Sequence, residues 1–346
     1  MNSKIQQIII FGVLAGMLFL SACKTYEYFN IEVLEPAELF LAPDIQALAI
    51  AHNITLDDAD SIGMPFRIYG ELYYDTVFID TALARASIKG LADELNFTGR
   101  LSTVTIDSLE KLLPKNTMDY TQADIDFIRN LCEENASNAL LVLNQITHEN
   151  SYDEYFGKSG GLYGVFEVVI NTEWLLINPY TSKLLDIKNL ADTLYIELES
   201  LEIDENDNGF KARKEILGKA AMASGYEYAS RISPHYVQTS RLIFKTGNKY
   251  IKTGFEQAQS GNWKNAAYFW RQALSSEDLK IRAQACFNLA LASEMEGLLE
   301  PGLEWAKESY RYFPDELNST YIHILEQRIQ QHKDIIKQMA VENVGQ

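Results

Sequence analysis

Hydrophobic spacing changes once along this chain, near residue 205, and that change limits the folds open to it more than any other feature. Before it the strand period of two dominates. Phe29, Ile31 and Val33 alternate with polar residues, residues 45–54 and 139–146 are compact apolar runs, and Leu194, Ile196 and Leu198 alternate again. Between these, residues 82–95 read as a helix and 101–106 as a short strand. Thr121 is placed as a helix N-cap with Asp124 three residues on as its capping acid, and the helix runs to about 134. Residues 165–177 and 184–187 flank the turn sequence Asn178-Pro179-Tyr180-Thr181-Ser182, which predicts an antiparallel hairpin. Residues 150–164 carry Gly157, Gly160, Gly161 and Gly164 among tyrosines and charges and are expected to form a loop. From Phe210 onward only helical spacing remains, with residues 211–232 stopped by Ser233-Pro234. The expected architecture is an α+β sheet domain over residues 23–205, followed over 206–346 by an all-α helical repeat domain without strands.

The helical part repeats. Gly261-Asn262-Trp263 and Gly297-Leu298-Leu299 each mark a turn between two helices, and they lie 36 residues apart. Gly254, Ala266, Trp270 and Ala273 occupy the first unit, about 247–276. Leu289, Ala290, Gly297, Gly302 and Pro314 occupy the second, about 282–314. This pattern resembles the tetratricopeptide repeat, whose period is about 34 and whose small residues let paired helices approach closely. It departs from that family at Thr253, Gln257, Ser293 and Ser309. The helix at 211–232 and the amphipathic segment at 317–339 are expected to cap the two units, since each repeat needs a neighbour over its apolar face.

At the other end, Lys4 precedes an apolar run over residues 8–20, followed by Ser21, Ala22 and Cys23. A permanent membrane helix takes roughly 20 apolar residues, so the shorter run is expected to be a removable signal peptide, residues 1–22. Leu20-Ser21-Ala22-Cys23 resembles the bacterial lipobox, which implies a diacylglycerol thioether on Cys23 and cleavage before it. Lys24-Thr25-Tyr26-Glu27 has no aspartate beside the cysteine and no acidic run. By resemblance to sorting signals this implies the outer membrane, facing the periplasm.

Net charge is −18 and the basic residues are scattered, so the electrostatic footprint of a phosphate-backbone binder is missing and nucleic acid is not an expected partner. Anionic headgroups would repel most of this surface, leaving lipid chains on Cys23 as the expected attachment. Besides Cys23 there are only Cys132 and Cys286, expected in different domains, so no disulfide framework is indicated. Cys132 continues the apolar face of Ile125 and Ile128, as a buried thiol would.

The whole arrangement, with Arg231-Ile232-Ser233-Pro234 between the sheet part and tandem helices bearing Trp263 and Trp305, resembles an uncharacterised lipoprotein family of Bacteroidota. That resemblance implies envelope location and tetratricopeptide folding but brings no activity. More loosely, the strand and helix order of the first domain resembles the sheet domains of curli-secretion and cell-wall-synthase-activator lipoproteins.

Candidate chemistry is sparse. Asp204, Asn206, Asn208, Gly209 and Glu215 satisfy a calcium-loop pattern of alternating oxygen ligands, but a strand precedes them and Lys211 takes the usual apolar eighth position. A solvated acidic linker capping the next helix explains the same residues. Gly157-Lys158-Ser159 lacks the earlier glycine of a phosphate loop, Tyr152 standing there. His52, His148, His235, His323 and His332 show no metal spacing. No cofactor, metal or catalytic residue is expected. Asp60-Ser61-Ile62, Asp75-Thr76-Val77, Asp80-Thr81-Ala82, Asp107-Ser108-Leu109 and Asp192-Thr193-Leu194 resemble O-glycosylation triplets of Bacteroidota, though such pairs also serve turns and caps.

The expectation is therefore a non-enzymatic, lipid-anchored envelope protein whose repeats present a groove to a protein partner, with Gln257 and Glu294 as illustrative groove residues. Two alternatives stay open. One is a ligand-binding protein or enzyme with its site near residues 152–163 of the sheet domain; the other is a subunit of an oligomeric secretion or cell-wall machine.

Overall fold

The computed structural model describes residues 25–54, 64–75, 80–114, 116–158, 160–181, 183–199 and 211–340. Strands β1 (Tyr26–Glu35), β2 (Ala47–His52), β3 (Met64–Ile68) and β4 (Glu71–Asp75) are followed by helix α1 (Asp80–Thr98), β5 (Ser102–Ser108) and α2 (Gln122–Glu134). Then come β6 (Ala139–Phe156), β7 (Leu162–Ile177), β8 (Leu184–Glu199), α3 (Lys211–Ile232) and β9 (His235–Phe244). Helices α4 (Lys249–Gln259), α5 (Trp263–Ala273), α6 (Leu279–Met295), α7 (Leu299–Tyr312) and α8 (Glu316–Met339) complete the order. Two compact units are present: residues 34–235 with 334–346, and residues 1–33 with 236–333.

The first unit is built on a seven-stranded sheet in which β4, β3, β6, β2 and β5 lie in that order, and β7 and β8 extend from the other side of β6. The apolar run that predicted β2 is parallel to both β5 and β6, which buries it on both faces. Helices α1 and α3 cover one face around Leu48, Ile50, Leu91, Leu95, Trp174 and Tyr228. They lie in direct backbone contact. A Cβ on Gly90 would stand 2.2 Å from the Met222 carbonyl oxygen, and one on Gly225 would stand 2.0 Å from that of Ser87. Ser87 and Ser224 share a buried hydroxyl bond of 2.9 Å at this crossing.

Helix α2 covers part of the opposite face, packing Ile128 and Cys132 on Ala49, Leu140, Val142 and Leu175. It starts as expected, with Thr121 and Asp124 forming a reciprocal capping box. Its coverage ends where β6 changes phase. Leu143 pairs with Trp174 but Gln145 pairs with Glu173, so Asn144 is an extra residue, a β-bulge. Before it Leu141 and Leu143 point to the α1/α3 core; after it Ile146 and Tyr152 do.

Three expectations are corrected. Residues 150–164 are not a loop: β6 and β7 run through them as a hairpin that turns at Gly157–Gly161, where the Gly157 amide bonds to the Gly161 carbonyl at 2.9 Å. Strands do not end at Phe210, because β9 follows α3 and pairs with β1 in a separate two-stranded sheet. Helix α3 does not cap the repeats, since Ile216, Leu217, Ala221, Tyr228 and Ile232 are buried in the core of the seven-stranded sheet's unit.

In the second unit α4/α5 and α6/α7 form two helical pairs around Ile251, Trp270, Ala290, Leu291 and Leu325. Their connecting turns share one hydrogen-bond pattern. Gly261 N bonds Ala258 O and Asn262 N bonds Gln257 O; 36 positions on, Gly297 N bonds Glu294 O and Leu298 N bonds Ser293 O. Both glycines stand at positive φ, 75° and 74°, a left-handed turn that glycine adopts without strain. Gly254 meets the Trp270 indole, where an added Cβ would fall 2.3 Å from Nε1, and Gly302 lies against the Ala290 carbonyl. Among the described residues no helix is long and apolar enough to cross a membrane.

Candidate functional site

Beyond Asn144 the sheet face that α2 leaves uncovered is a polar strip. Gln145, Thr147, Glu149 and Ser151 of β6 lie beside Glu173, Asn171, Val169 and Glu167 of β7 in register. Alternation explains this: even-numbered residues of β7 such as Phe166, Val168 and Ile170 are in the core, so the odd ones face outward. Two clefts lie in line along the strip. One of 560 Å³ is lined by Phe66, Arg67, Leu72, Glu149, Ser151 and Glu167 among others. The other, 260 Å³, is lined by Gln145, Thr147, Asn171, Glu173 and Asn189 among others.

Two carboxylates of the strip, Glu167 and Glu173, are held in place by neighbouring side chains. Glu167 accepts from Ser151 Oγ at 3.3 Å and from the Tyr195 hydroxyl at 3.0 Å, and this bond to the carboxylate raises the Tyr195 pKa. Glu173 accepts from Asn144 Nδ2, tying the bulge to β7. At the covered end, burial first and then the charges of Asp124 and Glu173 push the Tyr120 hydroxyl up to about 12. Amides, hydroxyls and carboxylates with one guanidinium, Arg67, equip this face to hydrogen-bond a polar ligand. His148 lies on the buried face, so it does not share a side with Ser151 as a base for a serine nucleophile would.

Behind the strip, in the core, runs a polar chain that sequence reasoning missed. The Arg213 guanidinium of α3 is 1% exposed, stacks 4.4 Å over the Phe66 ring and donates from Nε to Asn150 Oδ1 at 2.9 Å. Asn150 Nδ2 in turn lies 3.2 Å from His148 Nδ1. At the other end of α3 the segment Arg231-Ile232-Ser233-Pro234 acquires a reason. Arg231 reaches Asp186 through Nε and Nη2, both at 2.9 Å, Ile232 enters the core, and Ser233 Oγ meets Thr98 Oγ1 at 2.9 Å. Pro234 ends the helix.

Of the residues singled out in the sequence, Cys23 and Asp204 to Gly209 lie outside the described residues. Glu215 is on α3, exposed and paired with Lys219 at 2.8 Å, which lowers its pKa; it is spent in a helix surface pair. Among the described residues no His, Cys, Asp and Glu groups are placed to hold a metal ion. His52 and His148 are buried, whereas His323 is exposed 3.5 Å from Glu326. Cys132 and Cys286 are buried free thiols, and burial raises both, Cys286 to about 12. In the glycosylation-like triplets Ser108 and Thr193 are exposed, while Asp60-Ser61-Ile62 lies outside the described residues.

Glu294 is not a groove residue. Its side chain is 2% exposed and receives Arg241 and the Tyr321 hydroxyl, the latter at 2.8 Å. Gln257 is half-buried on α4. Glutamate spacing on a helix looks the same whether the residue meets water or a buried arginine, and Arg241 is contributed by a strand that the sequence did not announce.

With this geometry in hand, comparison with known proteins gives two family matches. Residues 45–244 match a family described as Domain of unknown function (DUF8603), and residues 252–330 one described as Domain of unknown function (DUF6340). No curated protein matches the chain. Solved structures with partial likeness include the PelC dodecamer from Paraburkholderia phytofirmans, 10% identical with TM-score 0.22, over 60% of this chain and 99% of that one. They also include the LpoB C-terminal domain from Salmonella enterica, 11% identical with TM-score 0.18, over 42% of this chain and 82% of that one. Rare lipoprotein B from Shewanella oneidensis is 11% identical with TM-score 0.21, over 54% of this chain and 89% of that one. Superpositions this loose assign neither fold nor role.

Proposed function

The chain belongs to the family described as Domain of unknown function (DUF8603), and from that premise we propose that it is an envelope lipoprotein, anchored by lipid on Cys23 in the outer membrane and facing the periplasm. Its task in this reading is binding a protein partner rather than catalysis, through two tetratricopeptide-like helical pairs. The observation that carries the reading is the recurrence, 36 positions apart, of the same turn hydrogen bonds at Gly261 and Gly297, with small residues at both helix crossings. Stacked pairs of this kind present one helix of each pair along a common surface, which suits an extended partner. The Leu20-Ser21-Ala22-Cys23 sequence supports the anchor.

The test has two arms. Replacing Cys23 with alanine is expected to release the protein from membranes into the soluble fraction, and retention on membranes would end the anchor reading. A photo-crosslinker at Gln257 in the native envelope is expected to trap one discrete protein adduct, absent when the crosslinker is moved to the sheet-edge residue Thr193. Equal labelling at both positions would remove the repeats as the binding surface.

A second reading follows from the two aligned clefts of the polar strip, 560 and 260 Å³, whose amide and carboxylate lining suits a polar ligand. Thermal shifts against a panel of cell-wall sugars and peptides check it: a shift abolished by Glu167→Gln supports the strip, and a flat panel rejects it.

A further inference from the structure

Three tyrosines stand on the polar strip toward the turn of the β6–β7 hairpin. Tyr155 of β6 lies opposite Tyr163 of β7 in register, their rings stacked with centroids 5.9 Å apart and planes 25° apart. Tyr195 of β8 lies opposite Glu167. Carboxylates hold two of the hydroxyls, since Tyr155 donates to Glu197 at 2.7 Å and Tyr195 to Glu167 at 3.0 Å. The rings themselves stay open, Tyr195 being 65% and Tyr155 41% exposed. Glu167 also lines the 560 Å³ cleft, so the carboxylate that fixes Tyr195 is part of the cleft wall. From Tyr163 to Glu167 the strip advances four residues, about 13 Å. The second cleft continues the same line toward Asn171 and Asn189.

We propose that the strip binds a linear oligosaccharide without anionic groups, laid along β7 and stacked on Tyr195 and the Tyr155–Tyr163 pair. This rests on the reading of the strip as a ligand site and names the class of ligand. A sugar ring offers polarised C–H groups on its faces, which suit the negative face of an aromatic ring, and hydroxyls around its rim, each both donor and acceptor. Gln145, Thr147, Asn171 and Asn189 likewise both donate and accept. Rings already held by Glu167 and Glu197 lose little freedom on binding. The floor of the strip argues against an extended peptide. β7 is paired with β6 on one side and β8 on the other, so its main chain is engaged and leaves no open edge for strand addition. Charge selects among glycans: Glu149, Glu167 and Glu173 line the two clefts with a single guanidinium, Arg67, a surface that repels a phosphorylated or uronate chain.

Calorimetric titration of the full-length chain, in a detergent without a sugar headgroup, tests this with chitohexaose, cellohexaose, maltohexaose and hexagalacturonate. At least one of the neutral hexasaccharides is expected to bind, and hexagalacturonate is not. Tyr195→Ala is expected to weaken that binding by about tenfold or more, whereas Tyr195→Phe, which keeps the ring, loses less. Tyr226→Ala, an exposed tyrosine of α3 on the other side of the sheet, is expected to bind as the parent does, and none of the three variants should melt differently from it. No binding of any neutral hexasaccharide, a Tyr195→Ala chain that binds as the parent does, or equal affinity for hexagalacturonate would each overturn the proposal. A peptide that binds the parent but not Glu167→Gln, with every sugar silent, would overturn the sugar and keep the strip as a ligand site; silence from both classes rejects the two together.

Discussion

The Glu294 carboxylate, 2% exposed, faces the Arg241 guanidinium with its Oε1 3.0 Å from Nη2 and its Oε2 3.1 Å from Nε. Arg328 stands 3.7 Å from the same Oε1, and burial first and then Glu294 hold the Tyr321 hydroxyl well above its ordinary pKa. Removing one partner of such a pair strands the other charge away from water. Glu294→Gln is therefore expected to cost about 3–5 kcal/mol in urea unfolding. Tyr321→Phe removes one bond to a charged acceptor and is expected to cost less, about 1.5–3 kcal/mol. Equal and small losses would show that the cluster is open to solvent.

Two carboxylates of the sheet unit give it an acid-sensitive limb. Contact with Lys111 at 2.6 Å, followed by bonds from Thr121, holds Asp124 at about 2 instead of 3.8. Burial alone would raise Asp186, but bonds from Arg231 and Tyr228 outweigh it and leave its pKa lowered. A carboxylate depressed by folding stabilises above its unfolded pKa and loses that contribution as pH falls through the folded one. Melting temperature is thus expected to drop between pH 3.8 and about 2. Asp124→Asn should lower stability at neutral pH and flatten that drop. An unaltered acid limb in the variant would remove Asp124 as its source.

Two glycines of α3 should respond in opposite directions to alanine. At Gly225 the new methyl would meet the Ser87 carbonyl and force α1 away, so Gly225→Ala is expected to destabilise by about 1–3 kcal/mol or more. At Gly218 nothing lies within 4 Å of the added atom, and better helix propensity should stabilise by roughly 0.5–1 kcal/mol. Thermal unfolding of both variants checks the pair, and similar responses would mean that the helix crossing is slack.

Where local spacing and tertiary demand agree, the elements are readable in advance: α2 with its Thr121–Asp124 box, the turn at Asn178, and the glycine turns at Gly261 and Gly297. The glycines and charges of residues 150–164 predict a loop, and the inward residues of the second half of β6, His148, Asn150 and Tyr152, give no apolar alternation against that because they are polar or amphipathic. They are satisfied by Arg213 and Glu154, the former 63 positions away in sequence. No window of neighbouring residues carries that information. β9 was missed for a related reason, since its first half alternates only between half-buried and exposed and its partner is β1, at the far end of the chain. The polar strip was invisible because it depends on which face α2 leaves bare.

One residue holds that strip on its side of the sheet. Asn144 acts on β6 as an inserted letter acts on a reading frame: everything downstream is read half a turn out of step with what came before. The bulge absorbs that letter: pairing Asn144 with β7 as an ordinary strand residue would swing Gln145, Thr147, Glu149 and Ser151 toward the core and turn Ile146 and Tyr152 out to water, whereas deleting it would leave every later residue on the face it now has. A family member lacking this asparagine would therefore run a straighter strand and still turn the same polar residues to water.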